Sequence, residues 1–231
     1  MGNSNFSGFR HWWWKMLCII FLLYTFIWGL YTNIPALNIL EQSIRNLFFH
    51  VPMWFAMIFM TLASVVYGMM YLNKGYVKYD IVSSQLVTVG FIFGILGLLT
   101  GSIWARVTWG AWWSFNEVKL NASAAGVLTY AAYFILRSSF EDDEKKARFS
   151  AVYNIFAFVM FFVFIMVIPR LEVGSLHPGN GGNPGFSAYD LDNRLRIIFY
   201  PAVIGWTLVG GWIAQLMIRY KLLERKKLKL D

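Results

Sequence analysis

Two histidines and a cluster of tryptophans carry the chemistry this sequence can offer. His50 sits in RNLFFHVP, and His177 stands in SLHPGNGGNPGF. Between them runs WARVTWGAWWSFNEVKL, residues 104–120, which gathers Trp104, Trp109, Trp112, Trp113 and Phe115 into one short stretch. A neutral imidazole is a metal ligand, and closely spaced aromatic rings make a broad apolar surface. Plotted as a helix at about 100° per residue, the five rings cover half a turn. Asn116 and Lys119 are the polar groups on that side, with Arg106, Ser114 and Glu117 opposite, and Gly110 is placed to interrupt the helix. Such a face suits a large, flat, apolar ligand with a few polar edges. It equally resembles an aromatic belt at a membrane–water boundary, which is how Trp12, Trp13 and Trp14 read. His11, beside that second cluster, reads as an interfacial residue.

The elements that position these residues are membrane spans. Of 231 residues, 58% are hydrophobic and 14% charged, too apolar a balance for a soluble domain. Runs of about 20 apolar residues, the length a bilayer requires, fall near 12–32, 51–72, 81–103, 121–139, 151–169 and 197–218. The first is too long for a cleavable leader and lacks a small-residue cleavage site. The expectation is a single polytopic domain over residues 1–231, an all-α integral membrane protein with six transmembrane helices, since helices satisfy the backbone in lipid.

Orientation follows from the basic residues between spans. Fourteen Lys and Arg fall on the side shared by both termini and the 73–80 and 140–149 segments; six fall on the other. Both termini are therefore expected to be cytoplasmic, and His50, the tryptophan segment and His177 to share the outer face. The net charge of +8 lies largely in the C-terminal tail, where anionic membrane lipid accounts for it without any nucleic acid.

Other chemistries find no support. The lone Cys18 lies inside span one, so neither thiol exchange nor a cysteine metal site is at hand. No phosphate-binding glycine loop is present. Glycines 90, 94, 97 and 101 punctuate span three and permit close helix approach. Pro52 fits the first turn of the helix that opens near His50. That location, at the positive end of the helix dipole, favours the neutral ring.

Two histidines on outward segments, with an aromatic platform between, make the pattern of a bis-histidine haem site, the iron taking one imidazole on each face. The porphyrin plane lies against indoles. Its propionates have Arg45, Arg106, Lys119, Arg194 and Arg196 available on the same side. Three other readings compete: a cytochrome b electron-transfer subunit, a cofactor-free channel, and export of haem across the bilayer by the chain itself. A cytochrome b electron-transfer subunit calls for histidine pairs within the spans, and this chain has three histidines, all at span ends or in loops. A cofactor-free channel calls for ionisable groups at mid-membrane.

RNLFFHVP, WGAWWSFN and SLHPG, in that order on six spans, resemble the cytochrome c assembly family of the CcmC (haem exporter protein C) type. The tryptophan motif of that family reads approximately WGxWWxWDxRL. Trp109, Gly110, Trp112 and Trp113 match it; Phe115 replaces tryptophan, Asn116 replaces aspartate, and the arginine position falls on Val118 with Lys119 alongside. The resemblance implies a non-enzymatic haem-binding role at the outer, periplasmic face of the bacterial inner membrane. There haem b is the transported ligand, with His50 and His177 as axial ligands. Haem would be passed to the membrane-anchored chaperone CcmE, with the ABC transporter subunits CcmA and CcmB as further partners.

Overall fold

The computed structural model describes residues 12–33, 41–171, 175, 177 and 193–228, and all regular structure among them is helical. His11 lies outside the described residues. The helices are α1 (Trp13–Tyr31), α2 (Leu47–Lys74), α3 (Val77–Trp109), α4 (Val118–Ser138), α5 (Asp143–Phe162), the short α6 (Ile168–Leu171) and α7 (Asn193–Lys227). A 3-10 turn, Glu41–Asn46, leads into α2, and a π-helical turn, Val163–Val167, joins α5 to α6.

Five segments are long and apolar enough to cross a membrane: α1, α2 with part of its leading turn, α3, α5 continuing through α6, and α7. The fourth run expected from sequence is a helix, but α4 is not among the five. Its 21 residues would reach across about 30 Å. Lys119, Asn121, Ser123 and Arg137 dilute its apolarity.

Contact between α2 and α3 is set by the glycines. A Cβ added at Gly90, Gly94, Gly97 or Gly101 would meet Thr61, Met57, Trp54 or His50 respectively, at 2.5–2.9 Å. The steps along one helix mirror those along the other, so the pair is antiparallel with one α2 side chain seated on each missing Cβ. In a bilayer, where apolar burial gives little net drive, such close packing is a principal source of helix association. Gly75 closes α2 in the left-handed conformation at φ 71° and returns its N–H to the Tyr71 carbonyl.

Polar contacts reinforce both halves of the bundle. Asn154 of α5 is fully buried and donates to Ser64 Oγ at 2.9 Å and Ser83 Oγ at 3.4 Å, tying α5 to α2 and α3. At the end away from His50, Arg137 of α4 makes a two-pronged pair with Asp80 of α3, at 2.8 and 2.6 Å. Arg137, inside the fourth apolar run, lies in the last turn of α4 and is held there by this pair.

Candidate functional site

His50 lies in the first turn of α2 rather than ahead of it, because the helix opens at Leu47, straight from the 3-10 turn, and not at Pro52. Pro52 is accordingly inside α2. The imidazole occupies the notch at Gly101, and its Nδ1 is 3.1 Å from Thr100 Oγ1. That hydroxyl is 2.7 Å from the Leu96 carbonyl, to which it donates its one proton. With its proton on a backbone carbonyl, the hydroxyl is left to accept from the imidazole. Nδ1 then carries the hydrogen, and Nε2 presents its lone pair. Orientation of a ligating histidine by a hydrogen bond at its other nitrogen is the usual arrangement at metal sites.

His177 reaches the same place from the segment between α6 and α7. Its ring centroid is 6.3 Å from that of His50, 5.8 Å from Trp104 and 6.4 Å from Trp109. The two tryptophans meet edge to face at 5.3 Å. The backbone at His177 is held from the tryptophan segment: Lys119 Nζ donates to the His177 carbonyl at 3.4 Å. Its N–H donates to Ser175 Oγ at 3.0 Å, which donates at 2.7 Å to Glu117 Oε2.

The tryptophan segment is not one helix. α3 ends at Trp109 because Gly110 turns left-handed at φ 75°, and the chain folds back before α4 begins at Val118. This replaces the expected half-cylinder of rings. Ser102 Oγ donates to the Trp112 carbonyl at 2.7 Å, and Asn121 bonds both Trp113 Nε1, at 3.2 Å, and the Phe115 carbonyl, at 2.6 Å. Trp104, Trp109 and Trp113 consequently face a common cavity with His50, His177 and Lys119. Trp112 is 58% exposed and Phe115 85% exposed, and Asn116 is exposed beside them; none of the three lines the cavity.

Arginine placement differs from expectation. Arg45 donates to the Gly29 and Thr32 carbonyls at 2.7 and 2.8 Å, joining the end of α1 to the start of α2. Arg106 bonds the Gly110 carbonyl at the end of its own helix. Arg194 and Arg196 are in the first turn of α7 and do not line the cavity. The arginine that does line it is Arg170 of α6, together with Met166 and Ile165 of the π turn. Pro169 lacks the N–H that would bond the Ile165 carbonyl. The chain widens just before it, Ile168 N–H reaching back to Val163, and such turns re-aim side chains at functional sites.

Sequence reasoning did not single out Thr100, Asn121, Ser175 or Arg170, and it put Glu117 opposite the rings. Glu117 is instead 4% exposed, at the N-terminal cap of α4. A carboxyl two residues before a lysine, following the tryptophans, was the signal available.

Chemically the site offers two imidazoles across an apolar gap. With a metal–imidazole bond of about 2.0–2.1 Å and the ring centre about 1.1 Å behind the nitrogen, imidazoles on opposite sides of one metal have centroids roughly 6 Å apart. The observed 6.3 Å has that spacing. Among the described residues, no three His, Cys, Asp or Glu side chains gather into a metal site. A bare ion would find few donors here, whereas a macrocycle bringing its own four nitrogens requires only the axial pair. The cavity holds about 160 Å³, below the ~300–1,000 Å³ that encloses a drug-sized ligand. A tetrapyrrole would therefore project from it.

Comparison with known proteins agrees with this setting. The chain is 43% identical over 60 residues to the cytochrome c biogenesis protein CcsA of Prochlorococcus marinus (strain MIT 9515), covering 26% of this chain and 19% of that protein. It is 33% identical over 84 residues to the CcsA of Prochlorococcus marinus (strain MIT 9303), covering 36% and 26%. It is 33% identical over 79 residues to that of Synechococcus sp. (strain RCC307), covering 34% and 25%. The matched part thus spans about a fifth to a quarter of these curated relatives. The family model described as heme exporter protein C matches residues 3–230, and the chain belongs to this CcmC family of cytochrome c biogenesis.

Proposed function

We propose that the chain binds haem b at the outer face of the bacterial inner membrane and delivers it to a membrane-anchored haem chaperone during c-type cytochrome maturation. The observation that carries this reading is the 6.3 Å separation of His50 and His177, with Thr100 leaving the His50 Nε2 lone pair for iron. His50 and His177 are the axial ligands. Trp104, Trp109 and Trp113 lie against the porphyrin, and Lys119 takes a propionate. Trp112, Phe115 and Asn116 border the same loop on its exposed side. The role is that of a carrier rather than a catalyst, and a partly open cavity suits a ligand that must leave.

The rest of the reading follows. Residues 1–231 act as one polytopic domain with six spans, α4 being the least apolar, and both termini are cytoplasmic. The partners are the chaperone CcmE and the transporter subunits CcmA and CcmB. Reporter fusions at Lys145 and Gly181 test orientation, cytoplasmic and outer respectively. Function is tested by loading the purified protein with haem, adding the soluble domain of the chaperone, and following haem between them. Transfer that requires both histidines supports the proposal. Haem uptake by the chaperone at the same rate with and without this protein contradicts it.

A further inference from the structure

The two histidines are held in different ways. His50 is part of a helix, seated on Gly101 and bonded to Thr100. The His177 backbone is tied to the 117–119 stretch, directly by Lys119 at its carbonyl and through Ser175 to the buried Glu117 at its N–H. We infer that Glu117 is a positioning residue for His177, acting through Ser175, and that opening this link makes His177 the releasable iron ligand while His50 stays bound. The inference rests on the bis-histidine reading above.

Glu117 caps α4 and is 4% exposed. Its own backbone is fixed on both sides, with its N–H donating to the Ser114 carbonyl and its carbonyl accepting from Asn121 N–H. Ser175 Oγ uses its proton on Glu117 Oε2 at 2.7 Å and its lone pair on His177 N–H at 3.0 Å. The serine is thus a two-way relay, and the acid decides which way its hydroxyl points. Two residues beyond Glu117, Lys119 holds the His177 carbonyl. Both backbone polar groups of His177 are therefore set by the stretch 117–119, so anything that moves the tryptophan loop also moves this imidazole. His50 has no link of this kind to that loop among its hydrogen bonds. A chaperone engaging the exposed rings of the loop would loosen His177 first, leaving iron attached through His50 with one face open to an incoming ligand.

The test uses the full-length protein in detergent, loaded with haemin. Glu117→Ala and Ser175→Ala should each convert part of the low-spin six-coordinate spectrum to a five-coordinate high-spin one. Haem loss to apomyoglobin should be about tenfold faster, the scale of one hydrogen bond lost at a buried site. Added imidazole should restore the low-spin spectrum. Glu117→Gln, which keeps an acceptor for the serine, should stay close to wild type. The Glu117→Ala/Ser175→Ala pair should be no worse than either single change, since both cut one relay.

Wild-type spectra and off-rates in both alanine variants, where His177→Ala alters them, would overturn the inference and leave the bis-histidine reading intact. A glutamine variant as defective as alanine would also overturn it. If Glu117→Ala does not fold, Ser175→Ala carries the same test from outside the helix. Unchanged spectra in His50→Ala and His177→Ala would instead remove the reading beneath.

Discussion

A Cβ placed on Gly101 would lie 2.7 Å from Cε1 of His50. The glycine is thus the floor on which this imidazole rests, and α3 sets the position of a ligand carried by α2. Gly101→Ala should push the ring off its seat, destabilising the protein by about 1–3 kcal/mol through overpacking. Haem per protein should fall as well. Thermal unfolding in detergent and haem absorbance check the two effects.

Thr100 fixes which nitrogen of His50 is bare. Thr100→Val keeps the shape but removes the acceptor for Nδ1–H, so the imidazole loses its orientation. Loss of such an outer partner costs roughly 10- to 100-fold in affinity at metal sites. Haem titration of the variant should show a weakening in that range with the fold retained; unchanged affinity would mean that Thr100 merely packs.

The tryptophans divide by exposure. Trp113 faces the cavity and bonds Asn121, whereas Trp112 is more than half exposed. Trp113→Ala should therefore lose haem by an order of magnitude or more, on the scale of aromatic truncations at binding sites of about 2 kcal/mol. Trp112→Ala should change equilibrium haem content by less than twofold and show its effect in transfer to the chaperone. Asn116→Asp, exposed on the same lip, should retain haem. Haem per protein and transfer rate separate these outcomes.

Asp80 and Arg137 join α3 to α4 at the opposite end, with 13% and 20% of their side chains exposed. Removing one partner strands the other in a partly desolvated position. Arg137→Ala should cost about 1–3 kcal/mol, less than for a fully buried pair, without altering the haem spectrum of the folded fraction. Thermal unfolding and the spectrum together check this.

Much of this arrangement was legible in the sequence, because span length and aromatic clustering are local signals. The helices near the six apolar runs, the glycine pattern of α3 and the grouping of His50, Trp104, Trp109, Trp113, Lys119 and His177 could be read that way. What escaped was set by tertiary contact or by a single backbone angle. Gly110 turns the loop, so a helical wheel put Glu117 opposite the rings when the folded chain buries it at the start of α4. Matching the motif without a gap put its acid at Asn116; the buried acid is one residue later. Arg45 and Arg106 were equal candidates by side of the membrane, yet each is occupied by helix-end carbonyls. Arg170 came into the cavity through a π turn that no periodicity announces.

Ligation of one haem iron by both His50 and His177 shows itself in the spin state of that iron. Haem-loaded wild-type protein should give the absorption and electron paramagnetic resonance signals of a low-spin, bis-imidazole centre. Each single alanine variant should lose it, and external imidazole should recover it. A His50→Ala/His177→Ala double variant that keeps the wild-type low-spin signal would show that these two residues are not the iron ligands.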